Sequence, residues 1–586
     1  MPANCIFFDT ETTEVEKEAW TEHHFRMAWT CRLWRHKDGS VSRESWLFWS
    51  DPALLCRYLD ESAWNRNTLY VFSHNIFFDL QVIGAFKHLA GWGWKLDFVY
   101  ESGLTYILNI RKGSKRICFL STTNFFQCSL KELGNLVGLE KMDVDPLAAN
   151  DDILREYCRR DVEIIRRAML AYMDFLVENR LGRFSFTIPS QAMHAFRHRF
   201  MTAKIYVHQY PPVSGLERNA YFGGRVECGY IGEVPDGPFV QLDVNGMYPY
   251  VMTKYPLPTR LIDYREDLRV DQLAAFLDRY HAVAHVKVRT DKPLYAVRRD
   301  GKVIFPVGEF DCYLNTFMLK EAVGRDHLLE VYKAAFYEKA YVFGDYISFF
   351  FSERTRHEKQ GNRALRYMCK LFMNSLYGKF GQKRPLLEIS ECDDALAYNR
   401  EEIFDMVTGE TILVYRLFGK EVRVEGWEEH KASMVAIASH ITEAARLELW
   451  RWIELVGADN VCYCDTDSLI VREKHLTRLA PFVDPYEMGL LKAEKVHEQL
   501  TIFGLKHYRS ESVHKCKGVP KNAVQLDDRH FRYASFLKQA SHMRLGIPDR
   551  VVCRQVDKHL TGIYDKGWVT PSGRVRPFRV SPLHPP

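Results

Sequence analysis

Carboxylates stand at the ends of apolar runs in several parts of this sequence. The run Ile6-Phe7-Phe8 ends in Asp9-Thr10-Glu11. A strand alternates its side chains, so two acids one residue apart share a side and can share a cation. Leu69-Tyr70-Val71-Phe72 leads into Ser73-His74-Asn75-Ile76-Phe77-Phe78-Asp79, again an apolar strand followed by a polar loop. The amphipathic stretch from Asp151 to about Asn179 carries Tyr157 and Asp161 at i and i+4, on one helical face. Taken singly, such an acid is more often a turn former or a helix cap than a metal ligand. Taken together, Asp9, Glu11, Asp79 and Asp161 offer the hard oxygen donors that suit Mg²⁺ or Mn²⁺. A two-metal cage can activate a water, hold a scissile phosphate and stabilise the leaving oxygen, which is phosphodiester hydrolysis.

A second constellation lies downstream. Phe239-Val240-Gln241-Leu242 is a strand that delivers Asp243 into the turn Val244-Asn245-Gly246-Met247-Tyr248-Pro249. Val461-Cys462-Tyr463-Cys464-Asp465-Thr466-Asp467-Ser468-Leu469-Ile470-Val471 reads as two short strands around an acidic turn, and a surface hairpin rarely keeps such apolar strands. Between them, Lys359, Arg363, Arg366, Lys370, Asn374 and Tyr377 fall on one face of a single predicted helix running to Gly378, with Leu365, Met368 and Phe372 on the other side. A cationic stripe ending in an aromatic ring suits a nucleoside triphosphate, with charge along the phosphates and a ring against the base. A plain solvated basic face is the bland alternative.

The elements that must position these residues need more than one core. At 586 residues the chain exceeds a single domain, and about 100–200 residues per domain gives roughly three to five. With 47% hydrophobic and 26% charged residues, and no apolar run near the ~18 residues of a membrane span, it reads as a globular chain outside the membrane. The start lacks the basic flank and cleavage site of a secretory signal. Fourteen scattered cysteines form no CxxC pair or zinc spacing, which points to thiols in a reducing compartment. A cytoplasmic monomer is the expectation. Residues 501–586 hold 16 Lys and Arg against 6 Asp and Glu, a net of +10 in a chain whose total is +5, and such a module suits a polyanion. From Gly182 to Ala220 the pattern loosens, with one helix-like stretch from Gln191 to Met201 followed by Pro211-Pro212-Val213-Ser214-Gly215, and looks like a domain boundary. Tyr221-Phe222-Gly223-Gly224 follows, where paired glycines allow close backbone approach.

The ordered set, DxE at Asp9, NxxFD ending at Asp79, YxxxD ending at Asp161, Tyr221-to-Gly224, Asp243 to Pro249, Lys370-Leu371-Phe372-Met373-Asn374-Ser375-Leu376-Tyr377-Gly378, Asp465-Thr466-Asp467-Ser468 and Lys506-His507-Tyr508, resembles family B DNA polymerases with a proofreading exonuclease. Within that family, Lys141-Met142-Asp143-Val144 and the short spacing resemble the protein-primed branch of small phages, adenoviruses and linear plasmids. The resemblance implies a multidomain α/β and α+β fold. It would comprise a DnaQ-like, ribonuclease-H-like 3′→5′ exonuclease domain at 1–185, a linker at 186–220, and a right-hand palm and fingers at 221–500. Terminal-protein-region insertions would lie at about 256–352 and 383–431, the first containing a hairpin from Tyr295 to Phe305. A basic thumb and C-terminal segment would fill 501–586.

Carried over residue by residue, the resemblance makes Asp9, Glu11, Asp79 and Asp161 metal ligands, lets Tyr157 orient the attacking water, and gives Lys141 the charge that stabilises the transition state. Thr12, His74, Asn75 and Phe78, with Ser129 and Leu130, would grip single-stranded DNA. Asp243 and Asp467 would bind two ions with the Val244 carbonyl, Asp465 supporting them, and Tyr248 would exclude a 2′-hydroxyl. Lys359 and Lys370 would bind the triphosphate, with Asn374, Tyr377 and Gly378 at the nascent base pair. Tyr221, Gly223, Gly224, Lys506 and Tyr508 would contact DNA. Gly246 and Met247 depart from the usual Ser and Leu of the first polymerase motif. The implied cofactors are two Mg²⁺ or Mn²⁺ ions per site. The implied partners are primer-template DNA, deoxynucleoside triphosphates, a terminal protein as primer and a single-stranded-DNA-binding protein, in processive, strand-displacing replication of a small linear genome. A primer-independent relative, a catalytically dead DNA-binding derivative and a nuclease alone are the competing readings. Complete acids argue against the second, and the Lys370-to-Gly378 segment against the third.

Overall fold

The computed structural model describes residues 1–581 apart from 405, 407 and 408. Its N-terminal unit is organised around the strand Asn4–Glu16. That strand pairs antiparallel with Thr21–Arg35 and parallel with Thr68–Ser73, which in turn runs parallel to Lys115–Ser121. Thr105–Lys112 and Lys95–Ser102 extend the sheet on that side. Both faces are covered, which is why the strand reads as a continuous apolar run. Cys5 and Phe7 join the core that includes Ile164, Ile165 and Met169, whereas Ile6 and Phe8 join Leu55, Leu59 and Leu80. Asp9, Thr10 and Glu11 close the buried part of the strand.

The long helix Asp151–Glu178 covers one face. Asn150 caps it by accepting from the Ile153 amide at 3.0 Å, and Asp151 and Asp152 place negative charge in its first turn. Its buried stripe includes Leu154, Val162, Ile165, Met169 and Tyr172, and each fully buried apolar side chain contributes about 1.5–3 kcal/mol of transfer free energy.

A five-stranded antiparallel sheet forms the middle of the molecule, in the order Leu491–His497, Phe239–Val244, Ser468–Arg472, Val461–Asp465, Val226–Cys228. Behind it the helix Val435–Val456 is buried along nearly its whole length. Its Glu443 accepts from the Asn315 amide at 2.7 Å and the Met318 amide at 3.1 Å, tying the helix to a separate sheet built from Leu257–Leu268, Leu328–Ala340, His281–Thr290 and Val307–Asn315. The hairpin read within that region forms as Val297–Arg299 against Lys302–Ile304. Four strands between Lys383 and Glu429 form another antiparallel sheet, in the order Lys383–Glu391, Lys420–Glu429, Thr411–Leu417, Asn399–Phe404, with 405, 407 and 408 outside the described residues.

Two local readings are corrected. The helix-like stretch within 186–220 forms as Ile188–Ala195 running on through Phe196–Phe200, but the break read at Pro211 is a second helix, Pro211–Ala220, because Pro211 and Pro212 occupy the first positions of a helix, where a missing amide costs nothing. Residues 501–581 do not form one terminal unit. Thr501–Gly504, His507–Arg509 and His514–Cys516 make a small sheet with Gly232–Glu233. Val551–His559 pairs with His530–Phe536 and with Thr21–His23 of the N-terminal sheet. Arg579–Val580 adds to Val307–Gly308. Edge pairing is long-range, and local composition carries no trace of it; residues 582–586 lie outside the described residues. Among the described residues no helix is long and apolar enough to cross a membrane.

Gly308 has φ +107°, and a Cβ there would collide with the Val580 carbonyl. Gly308→Ala should therefore release the Arg579–Val580 strand and lower stability by more than about 1 kcal/mol. Faster proteolysis of the C-terminal residues with a lower Tm is the expected result; unchanged protection would refute the close contact.

Candidate active sites

The sheet and the long helix bring the N-terminal acids together. Asp9 and Glu11 end the buried strand, opposite Trp29 and Met27 of its neighbour. Asp79 lies in the helix Ile76–Val82 and Asp161 in the helix Asp151–Glu178, and all four side chains are buried. One Asp79 oxygen accepts from the Thr10 amide at 3.1 Å and the Thr10 hydroxyl at 2.7 Å; the other accepts from Ser73. Lys141 ion-pairs with Asp161 and sits 4.1 Å from the centre of the Tyr157 ring. The second oxygen of Asp161, Oδ1, is buried without a hydrogen-bond partner.

Crowded negative charge in a dry site resists ionisation. Burial, then Asp161, pushes Glu11 up to about 8. Burial pushes Asp79 up to about 7 despite the hydrogen bonds from Ser73 and Thr10, and pushes Asp161 up to about 6 against the pull of Lys141. Asp9 is raised well above the usual carboxyl range by burial and by Asp161, Asp79 and Glu11. Lys141 is raised, because Asp161 and Asp9 outweigh its burial. An orphaned buried carboxylate oxygen among four such acids is what a divalent cation would satisfy, so the donor set fits Mg²⁺ or Mn²⁺.

The residues expected to hold a strand surround this cage. Asn75 takes a left-handed conformation, φ 62°, and its amide donates to Ser121 Oγ at 3.1 Å. His74 Nδ1 lies 2.8 Å from Thr122 Oγ1, and burial with nearby Lys141 lowers its pKa to about 4. The Thr12 hydroxyl lies 3.2 Å from His23 Nδ1, beside a bulge between Glu11 and Thr12. The Phe78 ring meets Phe536 at 5.4 Å, a residue of the C-terminal hairpin. Ser129 is also the N-cap of Leu130–Leu136, in a capping box with Glu132. Leu130 packs at the margin of the main core.

In the central sheet, Asp243 and Asp465 both register opposite Ser468. The turn is held by the Val244 amide donating to the Asp467 carbonyl at 2.7 Å, with Thr466 at φ 64°. Asp243 is pushed up to about 7 by burial, Asp467 and Glu494, and Asp467 is raised by burial. Asp465 is neutralised differently: Lys506 reaches it at 2.9 Å and Lys515 at 3.7 Å. Tyr508 is buried against Tyr463, with ring centres 5.4 Å apart, so of the Lys506–Tyr508 pair only the lysine keeps an exposed face.

The nucleotide-binding stripe needs correction. Helices Gly344–Lys359 and Arg363–Phe380 are separate, divided at Gly361 with φ +69°. Lys359 therefore ends one helix and is not on the face carrying Lys370, Asn374 and Gly378, which are exposed together on the second. Exact helical spacing continued across a turn that periodicity does not detect. Tyr377 closes the stripe by stacking on Tyr248 at 4.5 Å and 18°. Lys370 stands near enough to Asp243 and Asp467 to oppose their upward shifts.

Tyr221 to Gly224 leads straight to the acidic turn. A Cβ on Gly224 would come 2.7 Å from the Thr466 side chain, and the Thr466 amide donates to the Arg225 carbonyl at 2.7 Å. Arg446, fully buried and lowered to about 10 by that burial, donates to the Phe222 carbonyl at 3.0 Å and the Gly223 carbonyl at 2.9 Å. Arg298 donates to the Asn219 and Tyr221 carbonyls at 2.7 and 2.6 Å. Sequence reading passed over Arg446, Glu494 and Cys158. An arginine inside the apolar stretch of Val435–Val456 was a visible signal for the first; Glu494 carried none, and Cys158 only its place between Tyr157 and Asp161.

Comparison with known proteins bears on the family and the fold. A model of the organellar and viral type B DNA polymerase family matches residues 129–452. A probable DNA polymerase of Neurospora intermedia is 25% identical over 377 residues, 61% of this chain and 37% of the relative. The DNA-directed DNA polymerase of Enterobacteria phage PRD1 is 27% identical over 327 residues, 55% of this chain and 56% of the relative. The chain thus spans between 37% and 56% of these relatives' lengths. Phi29 DNA polymerase, solved with primer-template DNA and incoming nucleotide substrates, superposes with a TM-score of 0.70 at 16% identity, over 96% of this chain and 100% of that one. That likeness carries the multidomain α/β fold.

The raised carboxyl groups hold protons that the unfolded chain would release. Without cations their contribution to stability is present at low pH and is lost as pH rises from the usual carboxyl range up to about 8. In chelator, Tm should fall over that interval. Mn²⁺ should raise Tm more near pH 8 than near pH 6, and Asp9→Asn with Glu11→Gln should flatten the profile. Equal cation stabilisation at both ends would count against the cage.

Proposed function

The chain belongs to the type B DNA polymerases of organellar and viral kind, and from that premise we propose that it extends a DNA strand on a template and trims the 3′ end of the same strand at a second site. The observation that carries the reading is the convergence of Asp243, at the end of its strand, with Asp467, in the turn before the neighbouring strand Ser468–Arg472, close to the Tyr248 and Tyr377 rings stacked 4.5 Å apart and to Lys370. The N-terminal sheet with Asp151–Glu178 is read as a ribonuclease-H-like 3′→5′ exonuclease domain. The central sheet is read as a palm, the helices Gly344–Lys359 and Arg363–Phe380 as fingers, and the basic strands after Thr501 with the Val551–His559 hairpin as a thumb.

In this reading two divalent cations at each acid cluster supply the Lewis acidity that lowers the pKa of the attacking oxygen and stabilises the leaving one. The protein's own part is positional. Lys370 meets the triphosphate, while Asn374 and Gly378 leave room beside the new base pair. Tyr248, pinned by Tyr377 and half-buried, presents its ring to the sugar and rejects a 2′-hydroxyl. Lys506 offers a salt-sensitive contact to the primer phosphate. At the N-terminal site Thr12, His74, Asn75 and Phe78 hold the frayed end, Tyr157 orients the water, and Lys141 offsets the charge that accumulates on the phosphate. Hydrophobic and shape discrimination yields about 1–3 kcal/mol per selection step, so a second, hydrolytic site raises fidelity. The sheets within 257–340 and 383–429 fit insertions that embrace DNA and a protein primer, and processive, strand-displacing synthesis is proposed with them.

Asp467→Asn should reduce primer extension by several orders of magnitude while primer degradation persists, and Asp9→Ala with Glu11→Ala should do the reverse. Undiminished extension by the first variant would overturn the assignment. Tyr248→Val should admit ribonucleotides, read as the ratio of kcat/KM for deoxy and ribo substrates. An unaltered ratio would remove the steric role.

A further inference from the structure

We propose that the N-terminal carboxylate cage of this chain is a mixed oxygen and sulfur site, in which Cys158 joins Asp9 and Glu11 to bind a thiophilic divalent cation of the Zn²⁺ or Cd²⁺ class. The proposal rests on the reading of that cage as a cation site and adds a donor that the reading does not use. One donor atom each from Asp9, Glu11 and Cys158 lie within 4.8 Å of one another, the only such group among the described residues. Cys158 follows Tyr157 and precedes Asp161 by three residues, so the helix that supplies Asp161 turns the thiol toward the same strand. There it donates to the Asp9 carbonyl at 3.4 Å and is fully buried.

Asp161 supplies a second, independent sign. Its Oδ1 is buried and unpartnered while Lys141 occupies the other oxygen, and it is the leading charged neighbour of both Asp9 and Glu11. Two carboxylates and one sulfur supply three of the four donors that a zinc-class ion takes, and the orphaned Asp161 oxygen lies outside that close group. Mg²⁺ selects oxygen donors and gains nothing from the sulfur, whereas softer ions gain a strong ligand. The thiol proton passes to solvent when such an ion binds. A zinc-class ion would then occupy all the donors and arrest trimming of the 3′ end. The Asp243 and Asp467 cluster has no thiol in its donor set and would keep working at the same concentration.

The test uses the full chain, titrated with Cd²⁺ and followed by the ultraviolet sulfur-to-cadmium charge-transfer band. A band saturating at one equivalent, displaced by Zn²⁺ and absent from both Cys158→Ser and Cys158→Ala, is expected. The Zn²⁺ needed to halve primer degradation should rise roughly tenfold or more in Cys158→Ala. A band of equal size in the variants, or none in the parent chain, overturns the proposal. Mn²⁺ binding by electron paramagnetic resonance separates the two readings: it should persist in the Cys158 variants and be lost in Asp9→Ala with Glu11→Ala. Mn²⁺ retained by the double variant would mean that the cage itself has been misread. Mn²⁺ lost there, with no cadmium band in the parent, would remove only the thiol.

Discussion

Negative charge gathered in dry places is the constraint on which the rest of this structure depends. Asp9, Glu11, Asp79 and Asp161 are buried together, and Asp243 lies beside Asp467 with Glu494 close by. Neither cluster is self-sufficient, because like charges in a low-dielectric site raise one another's pKa. The fold answers with a few placed cations. Lys141 is held on Asp161, Lys506 and Lys515 on Asp465, and Lys370 faces the Asp243 and Asp467 pair without being fixed to either. The remaining imbalance is the charge that the proposed divalent cations would offset.

Each cluster is also tied to distant parts of the chain. The Tyr221-to-Gly224 segment emerges from the helix Pro211–Ala220, and Gly224 packs against Thr466 in the acidic turn. Its carbonyls are taken by Arg446 from behind and by Arg298 from the neighbouring hairpin. Buried Arg446 is tolerated because its guanidinium finds two carbonyl acceptors at once. On the other side, the Val551–His559 strand crosses back to Thr21–His23, carrying Phe536 to Phe78 near the N-terminal cage. Chain segments far apart in sequence thus meet beside each cluster.

Much of the chemistry was legible in the residues alone. Asp9 and Glu11 at the end of a doubly buried strand, and Asp467 in a turn between apolar strands, are local patterns, and strands and turns obey local rules. The stripe from Lys359 to Gly378 shows where such rules stop. Helical spacing persisted across Gly361, so periodicity joined two helices into one, and only the backbone placed Lys359 apart from Lys370. Pro211 and Pro212 misled in the opposite direction, reading as a break where they begin a helix.

By itself, then, the sequence determined which residue types stand at the ends of which elements, and that acids gather there. Tertiary structure alone decided which charges neutralise one another, that Asp465 belongs to Lys506 and Lys515, that Arg446 holds the Phe222 and Gly223 carbonyls, and that Cys158 turns toward Asp9. The physical reason is range. Strand alternation and helix capping act over a few residues, whereas charge pairing and edge-strand addition depend on which distant segments the fold brings within a few ångströms.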